Sequence, residues 1–289
     1  MQPGSGFEVL CAGIVVADAI ASAVDAVPPP GLLTLVDSVQ LATGGCALST
    51  ATALVRLGTP TPLCGCVGRD LLGEVMRRET ETRGIGTQDL RASDSLTSAS
   101  VVLDASDGER TFLHNPGANC ALSAADVERA LGRGPRWLHI GGALVLPARR
   151  RGPRARRHRA PGAAARVAPH LDMICPNLTE ARGITGQESS EDCAASLREH
   201  GVRQVAVKLG RDGAFALDEE TSARVPSFPV DTRGETGADD AFAGGLIHGL
   251  LNGWPLAPAV RLGNAVGALS TRGTGASSAL PDLEEALAL

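Results

Sequence analysis

The stretch Thr236-Gly-Ala-Asp-Asp-Ala-Phe242 is the most informative part of this 289-residue sequence, because a run of small residues leads there into an apolar segment. Phe242, Leu246 and Leu250 recur at four-residue spacing, which predicts a helix. Small residues at a helix start expose backbone N–H groups, and the helix dipole attracts an anion to them. This arrangement suits phosphoryl transfer, in which the N–H groups stabilise the moving phosphoryl group while Asp240 takes the proton of an attacking hydroxyl.

This stretch and Asn177-Leu-Thr-Glu180 both have a simpler interpretation as ordinary helix caps. Thr236 and Asp239 stand at the spacing of a capping box, and Asn-x-x-Glu also caps helices routinely. Asn177 nevertheless follows a predicted strand, and sites in open α/β sheets collect at the carboxyl ends of strands. Asn177 and Glu180 are therefore also candidates to hold phosphate or water-bound Mg²⁺.

A third candidate site lies near the start of the chain. Asp18 follows the first predicted strand, and Gly44-Gly45 precedes a predicted helix. Glycines allow a ligand to approach the backbone closely, and an Asp can accept hydrogen bonds from two adjacent hydroxyls. Taken alone, these residues are equally typical of turns.

Short apolar runs alternate with amphipathic stretches along the chain, which is typical of βαβ units that feed a mainly parallel sheet. The predicted strands are 9–16, 62–67, 137–140, 171–175, 205–209 and 214–217. The predicted helices are 46–57, 70–83, 123–132, 237–251, 256–271 and 282–288. Residues 98–103 and 110–113 flank a Ser-Asp-Gly turn and predict an antiparallel hairpin that interrupts the series.

Composition excludes several classes of protein. Hydrophobic residues make up 43% of the chain, enough for a sizeable core. The net charge of −5 and the aromatic content of 2% give no basis for nucleic-acid binding. The apolar stretch 9–24 contains Asp18 and lacks a basic leader, so neither a signal peptide nor a membrane partner is expected. Seven scattered cysteines fit a reducing compartment, and we expect a cytoplasmic enzyme.

Missing motifs narrow the chemistry further. Lys208 is the only lysine, so the chain has no GxxxxGK[ST] loop and is not a P-loop NTPase. No GxGxxG lies between a predicted strand and a predicted helix, which argues against nicotinamide-dependent redox chemistry. Neither GxSxG nor HExxH occurs, so the commonest hydrolase signatures are absent.

Five stretches together resemble the signatures of the ribokinase-like (PfkB) carbohydrate kinase family, in the same order and over most of the chain. They are Gly44-Gly45 with Ala51 and Arg56-Leu57-Gly58, Gly68-Arg69-Asp70 with Gly73, Pro176-Asn177 with Glu180-Ala181 and Thr185-Gly186, Thr236 to Phe242, and Asn264-Ala265 with Gly267-Ala268. The fourth stretch is similar to the family's TGAGD motif. Five ordered matches are far more specific than any one of them.

The resemblance implies an α/β fold, a ribokinase-like three-layer sandwich with a central, mostly parallel sheet and a small β-sheet lid. Residues 1–289 would form one kinase domain, and its lid would come from about 14–40 and 97–114. In the family, lids commonly pair in dimers, so the resemblance also implies a homodimer through the lid.

The resemblance further implies ATP and Mg²⁺ as cofactors and a small sugar or nucleoside as substrate. Gly237, Ala238, Asp239 and Asp240 would form the anion hole and the catalytic base. The residues expected to bind substrate are Asp18, Gly44, Gly45 and Ser49. The residues expected at the nucleotide and its metal are Asn177, Lys208, Gly210, Gly213, Asn264 and, for Mg²⁺, Glu180.

Substitutions at three sites depart from the family pattern. Asp239 stands where the family has the second glycine of TGAGD, and its charge could oppose the transferring phosphate. Ser49 replaces an Asn that the family often uses for substrate, and Ser is a shorter donor and acceptor. Gly234 and Glu235 replace the Asp-Thr pair that helps to bind a monovalent cation, so the sequence does not support potassium activation.

Residues 148–168 depart from the pattern most strongly. They carry eight of the 27 basic residues and no acidic residue, and Pro and Gly interrupt every periodicity. The segment lacks the strand that the family usually has there. We interpret it as an exposed surface loop, with an anionic-partner patch or a frame-shifted reading of the gene as alternatives.

The sequence therefore predicts an ATP-dependent kinase that phosphorylates a primary hydroxyl of a small sugar or nucleoside. The alternative is a catalytically impaired homologue that only binds sugar or nucleotide, with Asp239 and the atypical segment 148–168 responsible.

Overall fold

The computed structural model describes residues 7–106, 109–143, 167–273, 275 and 278–289. Its contacts divide the chain into two compact units. Unit 1 comprises Met1–Arg149 with Gly273–Ser278, and unit 2 comprises Arg150–Arg272 with Ala279–Leu289. The expectation of one kinase domain over residues 1–289 remains a prediction. Most of the arginine-rich segment 148–168 lies outside the described residues.

Unit 1 contains eight described strands and three described α-helices. The strands are β1 (Val9–Gly13), β2 (Val16–Ser22), β3 (Ser38–Gly44), β4 (Pro62–Gly68), β5 (Gly86–Ser93), β6 (Ala99–Asp104), β7 (Arg110–Asn115) and β8 (Trp137–Gly141). The helices are α1 (Cys46–Arg56), α2 (Leu71–Thr82) and α3 (Ala124–Leu131).

These strands form two sheets. The first has the order β5-β4-β1-β8 and is parallel throughout, and every residue of β1 is buried, as expected of a strand covered on both faces. The second sheet, the lid, has the order β3-β2-β6-β7. Its strands β6 and β7 are antiparallel, which confirms the predicted hairpin, although residues 107–108 of the turn lie outside the described part.

Side-chain caps fix two helices of unit 1 where the sequence places them. Asp70 accepts a hydrogen bond from the backbone N–H of Gly73 at the start of α2, and its other oxygen accepts from the N–H of Thr97 at the entry to β6. Ser123 and Asp126 form a reciprocal capping box on α3. Asp70 therefore ties α2 to the base of the lid.

Unit 2 contains four described strands and five described α-helices. The strands are β9 (Met173–Ile174), β10 (Gln204–Lys208), β11 (Ala214–Leu217) and β12 (Ser222–Val225). The helices are α4 (Leu178–Thr185), α5 (Ser190–Glu199), α6 (Ala238–Leu251), α7 (Leu256–Ser270) and α8 (Leu283–Leu287). The sheet has the order β12-β11-β10-β9, with β9 parallel to β10 and the other neighbours antiparallel.

The predicted α/β class, with a mostly parallel sheet and a β lid, is confirmed, and the differences are local. Strands β5 and β12 and helix α5 were not predicted, and β2 and β3 were expected only as part of the lid segment 14–40. Strand β1 ends at Gly13 rather than at residue 16, and β9 is two residues long where five were expected. Among the described residues, β8 and β9 each end a sheet, and the chain between them includes the undescribed residues 144–166. No described helix is long and apolar enough to cross a membrane.

Candidate nucleotide and substrate sites

Helix α6 begins at Ala238, and its N-cap is Gly237. Gly237 has φ of 86°, a left-handed conformation that a residue without Cβ adopts at little cost. No side chain caps this end, so the interpretation of Thr236 and Asp239 as an ordinary capping box is wrong. The N–H of Ala238 donates to the carbonyl of Glu235 over 3.3 Å, a long hydrogen bond that an anion could replace.

The carboxylate of Asp239 projects toward two residues that the sequence assigns to the nucleotide site. Lys208 Nζ lies 3.2 Å from Asp239 Oδ1, and Asn177 Nδ2 donates to Asp239 Oδ2 over 3.4 Å. The Lys208 side chain is only 11% exposed, whereas that of Asp239 is 55% exposed. Asp239 therefore partly neutralises the only lysine of the chain.

The strand ends explain why these residues meet. The N–H of Lys208 donates to the carbonyl of Pro176 over 2.9 Å, and a parallel bridge pairs Asn177 with Lys208. This places the ends of β9 and β10 side by side, as in other open α/β sheets, where sites collect at the carboxyl ends of strands.

Charges around Lys208 keep it protonated. Burial alone would lower the pKa of Lys208, but the charged groups around it, Asp239 and Asp240 among them, raise that pKa. Burial raises the pKa of the neighbouring Cys175 thiol, so Cys175 is neutral near pH 7 and it is the carboxylates that stabilise the ammonium group. A buried cation at this point is an anion-binding element.

Asn177 and Glu180 form a reciprocal capping box at the start of α4, as their spacing allows. The Glu180 N–H donates to Asn177 Oδ1 over 2.9 Å, and the Asn177 N–H donates to Glu180 Oε2 over 3.1 Å. The described residues hold no group of three or more His, Cys, Asp or Glu side chains placed for a metal ion. Mg²⁺ usually takes one or two carboxylates plus substrate phosphates, so Glu180, held beside Asn177, fits a metal that arrives with a nucleotide.

A cavity of about 630 Å³ lies within unit 2, a size typical of small-molecule sites. The cavity is lined by six of the residues that the sequence analysis assigns to catalysis or to nucleotide binding. They are Lys208, Gly210, Gly213, Ala238, Asp239 and Asn264. Asp240 is half-buried in the same helical turn and does not belong to the described lining.

Asn264 shapes the cavity rather than presenting its amide to it. The Asn264 Nδ2 group donates to the carbonyls of Val225 and Pro226 over 2.9 and 3.1 Å. These bonds hold the chain that follows β12, and that chain supplies Phe228, Val230 and Thr232 to the lining. The sequence analysis missed these residues because they have no periodicity, and only their position after a strand could have indicated them.

The residues expected to bind substrate lie in unit 1. Asp18 is in β2, and Gly44 ends β3 opposite Val16, one residue before Gly45 at the N-cap of α1. Gly45 has φ of 96°, and a Cβ there would lie 2.5 Å from the carbonyl oxygen of Ile14. The position therefore requires glycine.

Two buried hydroxyls beside Gly44 and Gly45 have no hydrogen-bond partner among the described residues, namely Ser49 Oγ and Thr43 Oγ1. Ser49 is 2% exposed and Thr43 is 6% exposed. Buried polar groups are nearly always hydrogen-bonded, so this pair indicates a place for a polar ligand or water. Thr43 was missed by sequence reasoning, although it adjoins the glycine pair.

Asn119 fixes the backbone next to this site. Its Oδ1 accepts from the N–H of Val15 over 3.1 Å, and its Nδ2 donates to the carbonyl of Val15 over 3.0 Å. The two bonds hold the connection between β1 and β2, and Asp18 lies in β2. Sequence reasoning gave no signal for this contact because the partners are 104 residues apart.

Comparison with known proteins gives a consistent result. The chain is 27% identical to a ribokinase of Haemophilus influenzae over 276 residues, 89% of this chain and 90% of that protein. It is 29% identical to an aminoimidazole riboside kinase of Salmonella typhimurium, with 82% of this chain and 84% of that protein covered. An Escherichia coli protein assigned as ribokinase II, solved with ATP and Mg²⁺, has the same fold, with a TM-score of 0.81, 22% identity and 98% of both chains covered.

The family model described as pfkB family carbohydrate kinase matches residues 7–153 and 151–283. The two matches meet within the arginine-rich segment, and together they span nearly the whole chain. The chain therefore belongs to the pfkB family of carbohydrate kinases.

Proposed function

We propose that this protein transfers the terminal phosphate of ATP to a primary hydroxyl of a small sugar or nucleoside. One observation carries the proposal: the start of α6, with its left-handed glycine cap, opens on a cavity that also contains the buried cation Lys208. A helix N-terminus and a desolvated ammonium group together favour the phosphates of a nucleotide.

Within this proposal, each residue at the helix start has a chemical task. The N–H groups of Gly237 and Ala238 stabilise negative charge on the transferring group, and the Ala238 bond to Glu235 gives way when phosphate binds. Asp240, in the first turn of α6, accepts the proton of the attacking hydroxyl.

Lys208, Gly210, Gly213 and Asn264 form or shape the wall for the nucleotide. Mg²⁺ would be held by Glu180 and Asn177 with the phosphates, and it supplies charge neutralisation when bound. The Asn177–Glu180 capping box holds both side chains at the end of β9 and β10, so they are positioned before a ligand arrives.

We assign the acceptor alcohol to Asp18, Gly44, Gly45 and Ser49. Asp18 accepts hydrogen bonds from two neighbouring hydroxyls, and the positive φ of Gly45 lets the backbone approach the ligand. The unpartnered hydroxyl of Ser49 is satisfied by the bound molecule, which accounts for a buried polar atom left alone.

A panel of acceptors tests the proposal. Ribose, fructose, 2-keto-3-deoxygluconate and adenosine are each incubated with ATP and Mg²⁺, and ADP release is followed in a coupled assay. We expect turnover with at least one acceptor, at a rate on the order of 1–100 per second. ADP release that needs no acceptor, or none with any acceptor at millimolar concentration, would contradict the proposal.

A second candidate is a protein of kinase ancestry that binds sugar or nucleotide without turnover. The contact between Asp239 and Lys208 favours it, because a carboxylate occupies the cation that would otherwise meet a phosphate. The two candidates differ in their response to removal of the Asp239 charge.

We also propose that the protein forms a homodimer through the outer face of its lid. One row of register partners crosses all four lid strands and is apolar throughout: Leu41, Ala19, Val101 and Leu113. Leu41, Val101 and Leu113 are 53%, 44% and 62% exposed. A contiguous apolar row of this kind on a sheet face is typical of a surface that another chain covers.

A further inference from the structure

Three polar side chains form a row across the lid, on the face opposite the apolar row. Asp18 of β2 is the register partner of Ser100 of β6, and Ser100 is the register partner of His114 of β7. Register partners in neighbouring strands point to the same face of a sheet. The three side chains therefore lie side by side on one face, although they are up to 96 residues apart in the chain.

The Ser100 side chain lies between its two neighbours in the row. Ser100 Oγ lies 3.1 Å from His114 Nδ1, and Ser100 is the register partner of Asp18, close enough to lower the pKa of that carboxyl. An ionised carboxylate accepts hydrogen bonds and donates none, so in a bond with Asp18 the Ser100 hydroxyl donates its single proton. The Ser100 oxygen then accepts the Nδ1 proton of His114.

The row lies next to the proposed acceptor site. Asp18 stands one pleat repeat from Val16, whose register partner is Gly44, and Gly45 follows directly. The neighbouring row on the same face consists of Gln40, Ile20, Val102 and Phe112. Its one polar side chain, Gln40, donates to Ser38, so Ser100 is the polar side chain of the lid that interacts with Asp18.

We propose that Ser100 and His114 are positioning residues, which hold the carboxylate of Asp18 aimed at the hydroxyls of the acceptor. The inference rests on the proposed function, because it assigns Asp18 to the acceptor alcohol. His114 acts indirectly, because it orients the Ser100 hydroxyl and Ser100 in turn orients Asp18.

Burial makes such support necessary. Burial raises the pKa of Asp18, and the neighbouring Ser100 and His114 offset only part of that rise. Ser100 itself is only 6% exposed, so bulk water cannot readily replace Asp18 as the partner of its hydroxyl. Losing Asp18 would leave a buried polar group without a partner, which is costly. A side chain locked in this way loses little conformational entropy when substrate binds.

The test compares Ser100→Ala with a matched control, Ser98→Ala. Ser98 is fully buried and donates a hydrogen bond over 3.0 Å to the carbonyl of Asn115, so it joins the same two strands without reaching Asp18. With ribose and adenosine as probes, we expect Ser100→Ala to raise the KM for the acceptor about tenfold to a hundredfold, since a bond to a charged group is lost. The KM for ATP and kcat should change less than about twofold, and Ser98→Ala should leave all three nearly unchanged.

Two further variants guard against misfolding. Ser100→Thr keeps the hydroxyl on a β-compatible side chain and should restore most of the acceptor affinity. His114 is exposed on the edge strand β7, and His114→Ala should raise the acceptor KM by about threefold in the wild-type background but not in Ser100→Ala. Equal effects of His114→Ala in both backgrounds, or no rise in KM for Ser100→Ala, would overturn the inference.

Asp18→Asn separates this inference from the proposed function. If Asp18→Asn raises the acceptor KM and Ser100→Ala does not, the positioning role is wrong and the acceptor site stands. If Asp18→Asn has no effect, the acceptor assignment itself is wrong and the positioning role falls with it. If the protein has no turnover, the same ranking is read from the dissociation constants of the probes, measured by calorimetry with a non-hydrolysable ATP analogue.

Discussion

At the scale of single residues, Asp239 is the side chain that most affects the chemistry. Two unit charges about 4 Å apart at an effective dielectric of about 20 repel by roughly 4 kcal/mol. Asp239 is 55% exposed and pairs with Lys208, so solvent and the ammonium group screen much of this repulsion. The grouping of Lys208 with the helix start could be predicted from the motifs. The ion pair could not, because Lys208 and Asp239 lie on separate elements, β10 and α6, and meet only through the way these pack.

We expect Asp239→Gly to raise kcat/KM for ATP by about tenfold to a hundredfold, because it removes a screened charge and frees Lys208 for phosphate. Asp239→Asn should give most of this gain, since it removes the charge and keeps the size. Steady-state ADP release at varied ATP measures the effect.

Glu235→Gln is the matched control for Asp239. Glu235 also lines the cavity and pairs with an arginine, Arg211, over 3.7 Å, but both side chains are largely exposed. It should change kcat/KM by less than about twofold. If neither Asp239 variant gains activity and the wild type has none, the binding-only candidate is favoured.

At the scale of elements, hydrophobic periodicity predicted most helices and parallel strands, and it failed where burial is polar. Strand β5 was missed because one of its buried positions is the charged residue Asp89, which is 2% exposed. Both carboxylate oxygens of Asp89 accept hydrogen bonds from Arg133 over 2.6 Å, and this bidentate contact neutralises the charge. A charged residue breaks an apolar pattern in the sequence even when an ion pair buries it. The partner is 44 residues away, so no local signal identifies it.

Helix α3 offers an element-scale prediction through Asp126. Burial alone would raise the pKa of Asp126, but hydrogen bonds from Ser123 and Arg91 lower it to about 2. A carboxyl group whose pKa is lowered in the folded state stabilises the fold at pH values above its ordinary pKa of 3.8. That stabilisation is lost as the pH falls toward 2.

Asp126→Asn should therefore lower the free energy of unfolding by about 2 kcal/mol at pH 7 and by much less near pH 2. Urea unfolding followed by Trp137 fluorescence, in a Trp254→Phe background, reports on unit 1. Asp94→Asn is the control, because Asp94 lies in the same unit and pairs with Arg69 on a fully exposed side chain, so its loss should leave the free energy of unfolding nearly unchanged. A pH-independent loss for Asp126→Asn would contradict the assigned role.

At the scale of the whole molecule, ordered motifs predicted the family and the fold class, but not how the described chain divides into two compact units. The division falls at residues 149–150, inside the arginine-rich segment where the two family matches also meet. Substrate identity could not be predicted, because lid side chains on separate strands, such as Ser100 and His114, come together only in the fold.

The proposed lid dimer is tested with Leu41→Glu combined with Leu113→Glu. Two charges in the apolar row should dissociate the dimer by opposing burial of the lid face. Sedimentation velocity should show a dimer for the wild type and a monomer for the double variant. Leu96→Glu is the control, because Leu96 is 67% exposed outside the lid strands. A wild-type monomer at micromolar concentration would contradict the dimer.

The most direct test of the account is the turnover of Asp240→Asn with ATP, Mg²⁺ and the best acceptor of the panel. If Asp240 removes the proton of the acceptor hydroxyl, this variant should lose at least about 100-fold in kcat. Its dissociation constant for ATP, measured by calorimetry, should stay within about threefold, and Asp239→Asn should not lose activity. Turnover of Asp240→Asn at the wild-type rate would contradict the proposed role of the α6 start.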